Sequence, residues 1–164
     1  MNMTITITEN EKEYKFTASA VTNILYKRLF GIDPENYFRG RAEMLRDPRT
    51  REDLKKAKEV ATLPEDDPKR LEISTELADN ANIFDLANGL TEFAKQYGFI
   101  CYVQANTPAQ EVFKTLTMEN YILWLLDFDE GFFKTHAGEI KQLHDGNNRT
   151  DVKRKNPIGQ PTEK

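Results

Sequence analysis

Asp127, Asp129 and Glu130 invite a metal reading, because closely spaced carboxylates in a loop can wrap a calcium ion. A calcium loop counted from Asp127 needs an oxygen ligand at its fifth position, glycine at the sixth and glutamate at the twelfth. The chain has Gly131, Phe132 and Gly138 there, so the pattern fails. Acids ahead of a helix N-terminus, where the helix dipole favours negative charge, account for these residues without a metal. His136 and His144 stand about two turns apart on one predicted helix, and one remote cysteine does not complete the four ligands that zinc usually takes. Cys101 lies in the apolar run GFICYV, without the basic neighbours that activate a thiol. The sequence has no phosphate-cradling glycine loop and no GxSxG elbow. No catalytic residue, metal or cofactor is expected, and the chain reads as a protein that is not an enzyme.

The elements that must carry such residues belong to one domain of 164 residues, 38% hydrophobic and 30% charged, with a net charge of −4. A single cysteine rules out an internal disulfide and favours a reducing compartment. The opening MNMTITITEN lacks the continuous apolar core of a signal peptide, and no uninterrupted apolar run reaches membrane-spanning length. The expected location is the cytoplasm. Arg39, Arg41, Arg46, Arg49, Arg51, Lys55, Lys56 and Lys58 stand against Glu43, Asp47, Glu52 and Asp53, a local net of +4. Such a run could track phosphates. Its interleaved acids and lack of stacking aromatics instead favour a solvated, insertion-like helical segment over residues 39–68, and nucleic acid is not an expected partner.

Met3 to Thr8 alternates apolar and β-branched polar residues, Glu9-Asn10-Glu11 suits a turn, and Tyr14 to Thr17 alternates again: a β-hairpin. A lone hairpin is marginal in water, so helices must cover it. The predicted fold is therefore α+β, mostly α, with an N-terminal hairpin packed on a small bundle of helices. Thr22, or else Ser19, is the expected cap of a short helix carrying Ile24, Leu25, Tyr26, Leu29 and Phe30, with only Lys27 and Arg28 facing solvent. Gly31 ends it in a left-handed residue, and Pro34 prevents continuation. Thr50 with Asp53 suggests a capping box opening a helix through Val60. Asp67-Pro68 opens the next. Apolar spacing from Leu77 predicts one long helix to about Ala105 with Gly98 inside it, rather than a helix followed by a strand FICYV. Asn106-Thr107-Pro108 ends that helix. Thr117 caps Met118 to Phe128, and a last helix runs Phe132 to His144 with Gly146 past its end. The tail, 147–164, is polar and predicted disordered.

Tyr121, Trp124, Phe128, Phe132 and Phe133 form the densest aromatic stretch. They read either as core or as a groove for a partner segment, since such rings dominate interface hot spots.

EYKFTASAVTNILYKRLFGID resembles the N-terminal signature of tail assembly chaperones from long-tailed, siphovirus-type phages and prophages of Gram-positive bacteria. A hairpin leads through alanines and serines into a short helix ending in tyrosine, two basic residues, phenylalanine, glycine and an acid, and Tyr26, Lys27, Arg28, Phe30, Gly31 and Asp33 fall on that pattern. Tyr102-Val103 and Leu123-Trp124-Leu125 extend the likeness across most of residues 5–145. Two departures are a longer charged segment and Asn23 in place of a proline in the first helical turn. The resemblance implies a single chaperone domain, 1–146, that binds the tape measure protein and recruits tail tube subunits in the host cytoplasm. It allows self-association, and it implies absence from the finished virion. Many such proteins are made in two lengths by ribosomal frameshifting, and Lys153-Arg154-Lys155 lies where a slippery lysine-codon run would sit. The competing expectations are a virion structural protein, such as a minor tail or connector component, and a small nucleic-acid-binding regulator.

Overall fold

The computed structural model describes residues 2–129 and 131–155. Strand β1 (Met3–Glu9) pairs antiparallel with β2 (Lys12–Ala18), placing Ile5 opposite Phe16 and Ile7 opposite Tyr14. The two-residue period puts Ile7, Phe16 and Ala18 in the core and leaves Thr4, Thr6 and Thr8 exposed. Asn10 and Glu11, at φ 51° and 63°, make the turn. Positive φ at both central residues matches the right-handed twist of paired strands.

The chain is α+β and mostly helical, as predicted, and its residues form two compact units. One comprises the chain up to Ile32 and from Phe93 onward; the other is Asp33–Glu92.

The first unit joins the hairpin to α1 (Thr22–Phe30), the second half of α5 (Ala81–Asn106), α6 (Val112–Thr115), α7 (Met118–Leu125) and α8 (Phe132–Lys155), with α8 packed on both strands and Tyr102 of α5 against Phe16. Phe16, Tyr26, Phe93, Tyr97, Ile100, Cys101, Ile140 and Leu143 are enclosed. Gly98 lies inside α5 as predicted, and the packing gives its reason. A Cβ there would stand 3.3 Å from Ile140 Cδ1 and 3.7 Å from the rings of Phe133 and Phe16. Close approach offsets the ~1 kcal/mol that a mid-helix glycine costs against alanine.

Several predicted details are corrected here. Thr22 does not cap α1: it is the first helical residue, its Oγ1 accepting from the Ser19 N–H at 2.7 Å and donating to Gln104 Oε1 at 2.7 Å. Gly31 closes the helix at φ 75° as expected. Ile24, read as part of the buried stripe, is 66% exposed. The Met118 helix stops at Leu125, short of Phe128. The last helix does not stop at His144, because Gly146 is a packing glycine: a Cβ there would collide with the Met3 side chain. Beyond it, Asn147 Nδ2 donates to Ser19 O at 2.9 Å and Asn23 Nδ2 donates to Asn148 Oδ1 at 3.1 Å. These bonds anchor a stretch whose composition looks like tail, and helix continues to Lys155. Residues 156–164 of the predicted disordered tail lie outside the described residues.

In the second unit, three helices begin on Asp-Pro. Asp33, Asp47 and Asp67 cap α2 (Pro34–Met44), α3 (Pro48–Thr62) and α4 (Pro68–Leu77), and each proline takes the first helical position. There its missing N–H has no helical partner to lose and its φ is already set. Pro34 therefore starts a helix as well as ending one. The expected Thr50/Asp53 capping box is replaced by Asp47, whose Oδ2 accepts from Thr50 N and Oγ1, while Asp53 bonds the Asn80 side chain at 2.8 Å. Asn80 also accepts from the Asn82 N–H through Oδ1, at 3.1 Å. That local bond accounts for α5 opening at Ala81 and not at Leu77.

Candidate functional site

Thr117 sets the start of α7 by accepting the Asn120 N–H on its Oγ1 at 3.1 Å, and Asn120 Nδ2 donates back to Thr115 O at 2.9 Å. From that start the 3.6-residue repeat divides an almost wholly apolar helix into two faces.

The inward face carries Tyr121 and Trp124, and the other predicted aromatic residues follow it in the chain, Phe128 past the end of α7 and Phe132 and Phe133 at the start of α8. Tyr121, Trp124, Phe132 and Phe133 are buried, and Phe128 is half-buried. Trp124 packs on Phe99, Phe128 and Phe133 with ring centroids 5.3, 4.7 and 5.3 Å away, and Tyr121 meets Phe30 at 5.1 Å and Phe99 at 5.4 Å. Tyr14 of β2 closes over Phe128 and Phe132 at 4.9 and 5.1 Å. All five therefore belong to one ring-packed layer under α7. Phe128 and Phe133 also line a shallow hollow of about 160 Å³ with Lys95, Leu125 and Asp129. The Trp124 indole N–H is buried with no acceptor among the described residues.

The outward face was not singled out by the sequence. Met118, Ile122, Leu123 and Leu126 are 47%, 57%, 56% and 76% exposed. Glu119 and Asp127 are exposed beside them. The signal was present: apart from Glu119, Asn120 and Asp127 the stretch Met118–Phe128 is apolar, and a short helix with one face on a core cannot bury the other. Single exposed apolar side chains need no explanation, but four along one short helix and its C-cap make a patch of the kind that marks interaction sites.

Of the residues tested for chemistry, Asp127 lies beside this face and Asp129 lines the hollow, while the cysteine and the histidines sit elsewhere. Cys101 is wholly buried, and burial pushes its thiol far above the usual range, the opposite of what a nucleophile needs. His136 lies between two carboxylates, Nε2 3.0 Å from Glu9 and Nδ1 2.7 Å from Glu139, and thereby ties the hairpin to α8. His144 is buried edge-on against Phe93 and Tyr97, its Nε2 3.1 Å from Asn148 Nδ2. Among the described residues no three His, Cys, Asp or Glu side chains gather as a metal site, and no helix is long and apolar enough to cross a membrane.

In the second unit the basic run is partly absorbed by structure. Arg41 Nη1 donates to Leu86 O at 3.4 Å, Arg49 Nε is 3.7 Å from Asp53, and Lys56 meets Glu76 at 3.3 Å. A cavity of about 240 Å³ beside Tyr37, Arg41, Met44 and Leu86 is mostly apolar. Burial raises the Tyr37 phenol there, against the lowering effect of Arg41. A second hollow, about 330 Å³ among Val21, Leu25, Gln104, Val112 and Phe113 of the first unit, has no charged lining residue. The densest run of exposed large apolar residues among the described residues is the outer face of α7, a surface suited to binding. Comparison of the chain with protein-family models, curated proteins and solved structures finds no match.

Proposed function

We propose that this chain is a phage tail assembly chaperone that acts by binding and carries out no reaction. In this reading it holds the tape measure protein in the bacterial cytoplasm, recruits tail tube subunits and leaves before the virion is finished. The N-terminal signature from Glu13 to Asp33 supports the family. The observation that carries the activity is the outward face of α7, where Met118, Ile122, Leu123 and Leu126 are left in solvent over a rigid aromatic layer. A chaperone for a long helical client needs apolar surface that does not collapse into its own core, and a helix face backed by packed rings supplies it.

The test is co-expression with the tape measure protein. The client stays in the soluble fraction with this chain and precipitates without it. The double variant Ile122→Asp with Leu126→Asp keeps its helical circular dichroism, because both side chains are exposed, and loses the protection. Equal precipitation with and without the unmodified chain would end the chaperone reading. Stoichiometric presence of the chain in purified particles would replace it with that of a virion structural protein.

A further inference from the structure

The outer face of α7 has a counterpart on the same chain. From Leu116 to Phe133 the sequence holds Glu119, Asp127, Asp129 and Glu130 and not one lysine or arginine. From Tyr14 to Ile32 it holds Lys15, Lys27 and Arg28 and not one aspartate or glutamate. Both segments belong to the first unit, and each carries one helix with exposed apolar side chains: Ile24 of α1 with Val21 at its N-cap, and Met118, Ile122 and Leu123 of α7 with Leu126 at its C-cap.

On α1 and its N-cap, helical spacing gathers Val21, Ile24, Lys27 and Arg28 on the solvent side, all four exposed. Ile24 lies between the two cations on the helical circumference. The Arg28 guanidinium is held 4.9 Å over the ring of Phe113, itself exposed, so the apolar surface continues past the helix and one cation is already fixed in position. On α7, Met118, Ile122 and Leu126 form a row at the i, i+4, i+8 spacing that interlocks with a crossing helix. Glu119 and Asp127 are exposed beside that row, as Lys27 and Arg28 are on either side of Ile24.

We infer that a second copy of this chain covers the α7 face with its α1 face, Ile24 and Val21 meeting Ile122 and Leu126 while Lys27 and Arg28 pair with Glu119 and Asp127. The other basic helix, α3, does not fit. Its exposed side chains include Arg49, Arg51, Lys55, Lys56 and Lys58, but none is a large hydrophobic residue. Leu71 and Phe84, exposed in the second unit, each stand as the only exposed large apolar residue of their helix, whereas Ile24 of α1 is joined by Val21 at the N-cap. A twofold arrangement closes the contact at a dimer; any other rotation propagates it from copy to copy. This inference rests on the reading of the α7 face as a contact surface, and in it the client displaces a neighbouring copy.

Sedimentation velocity of the full chain tests it. The unmodified chain associates, and raising the salt from low to high weakens association by about tenfold, as expected where exposed opposite charges set the pairing. Lys27→Glu with Arg28→Glu gives a monomer, and so does Glu119→Lys with Asp127→Lys, each with unchanged helical circular dichroism. Mixed in equal amounts, the two variants associate again, because each then offers the other a complementary face. A chain that is monomeric throughout overturns the inference, as does association that survives either pair of substitutions or fails to return on mixing. If the α1 variant protects the tape measure protein and the α7 variants do not, while sedimentation finds only monomer, the client surface stands and self-association through it falls. If copies associate as described and the client precipitates regardless, the chaperone reading falls alone.

Discussion

Among the largest fully enclosed side chains, Phe16, Tyr26, Phe93, Tyr97, Phe99, Ile100, Ile140 and Leu143 belong to the unit built from the two ends of the chain, whereas Asp33–Glu92 contributes Thr50 and Pro34. The first unit is held by rings and branched aliphatics that leave water together. The second is held by caps and polar pairs: three Asp-Pro helix starts, the Asp53–Asn80 bond and a thin apolar seam that includes Val60, Ile83 and Leu86. Apolar burial is the larger stabilising term, so the two units should open at different free energies. A binding face benefits from the stiffer support, and α7 stands on the first unit.

The largest effect expected from breaking this contrast is in the ring layer. Phe99 is buried between Tyr121 and Trp124, at 5.4 and 5.3 Å. Phe99→Ala removes the ring and leaves a cavity that α5 and α7 cannot close, a loss of about 3–5 kcal/mol in denaturant unfolding. The lone tryptophan, Trp124, reports the same change through its fluorescence, since it is a wall of that cavity.

A smaller and more local effect is expected at Asn80, which is buried and donates to Asp53 Oδ2 at 2.8 Å. Asn80→Ala leaves a buried carboxylate without that donor and costs about 1–3 kcal/mol. Hydrogen exchange should speed up within residues 33–92 while amides of Ile100, Ile140 and Leu143 keep their protection. Equal loss in both units would mean that they unfold as one, and the comparison would fail.

The same contrast governs how much could be read in the sequence. The hairpin was legible because Ile5, Ile7, Tyr14 and Phe16 alternate against threonines and a lysine, and Asn10 marks the turn. Gly98 was rightly placed inside a helix because the apolar stripe passes through it in register. Gly146 was misread as a terminator because a glycine that admits Met3 and one that ends a helix look alike until the strand above is known. The helix starts of the second unit were half-read: Asp67-Pro68 was recognised, while Asp47-Pro48 was passed over for Thr50 and Asp53, whose spacing imitates a capping box. On α7 the aromatic residues drew attention because of their size. Ring size favours burial, and the less conspicuous aliphatics at Met118, Ile122, Leu123 and Leu126 were left outside. A sequence marks how apolar a helix is more plainly than which side of it the core will take.

The smallest effect expected concerns acid. Asp47 is held below the ordinary carboxylate range, chiefly by the Thr50 hydroxyl at 2.7 Å and then by the Arg49 and Thr50 N–H groups. In α8 of the first unit, burial pushes Asp145 up, but the Lys141 ammonium at 2.6 Å and neighbouring His144 overcome it and hold it low as well. A carboxylate whose folded value is depressed stabilises the fold above its unfolded value, and that contribution drains as pH falls from about 4 through the folded value. Both units therefore weaken in the same direction on acidification. They differ in what lies behind the carboxylate: Asp145 sits on a helix packed through Ile140 and Leu143, while Asp47 secures the first turn of a helix with little apolar backing. Below about pH 4 the amides of the first turn of α3 should lose protection before those of α8. Asp47→Asn retains an acceptor at the cap and removes the titration, so its α3 amides should vary less with pH between about 4 and 2 than those of the unmodified chain. An unchanged pH slope in that variant would show that the acid sensitivity of the second unit arises elsewhere.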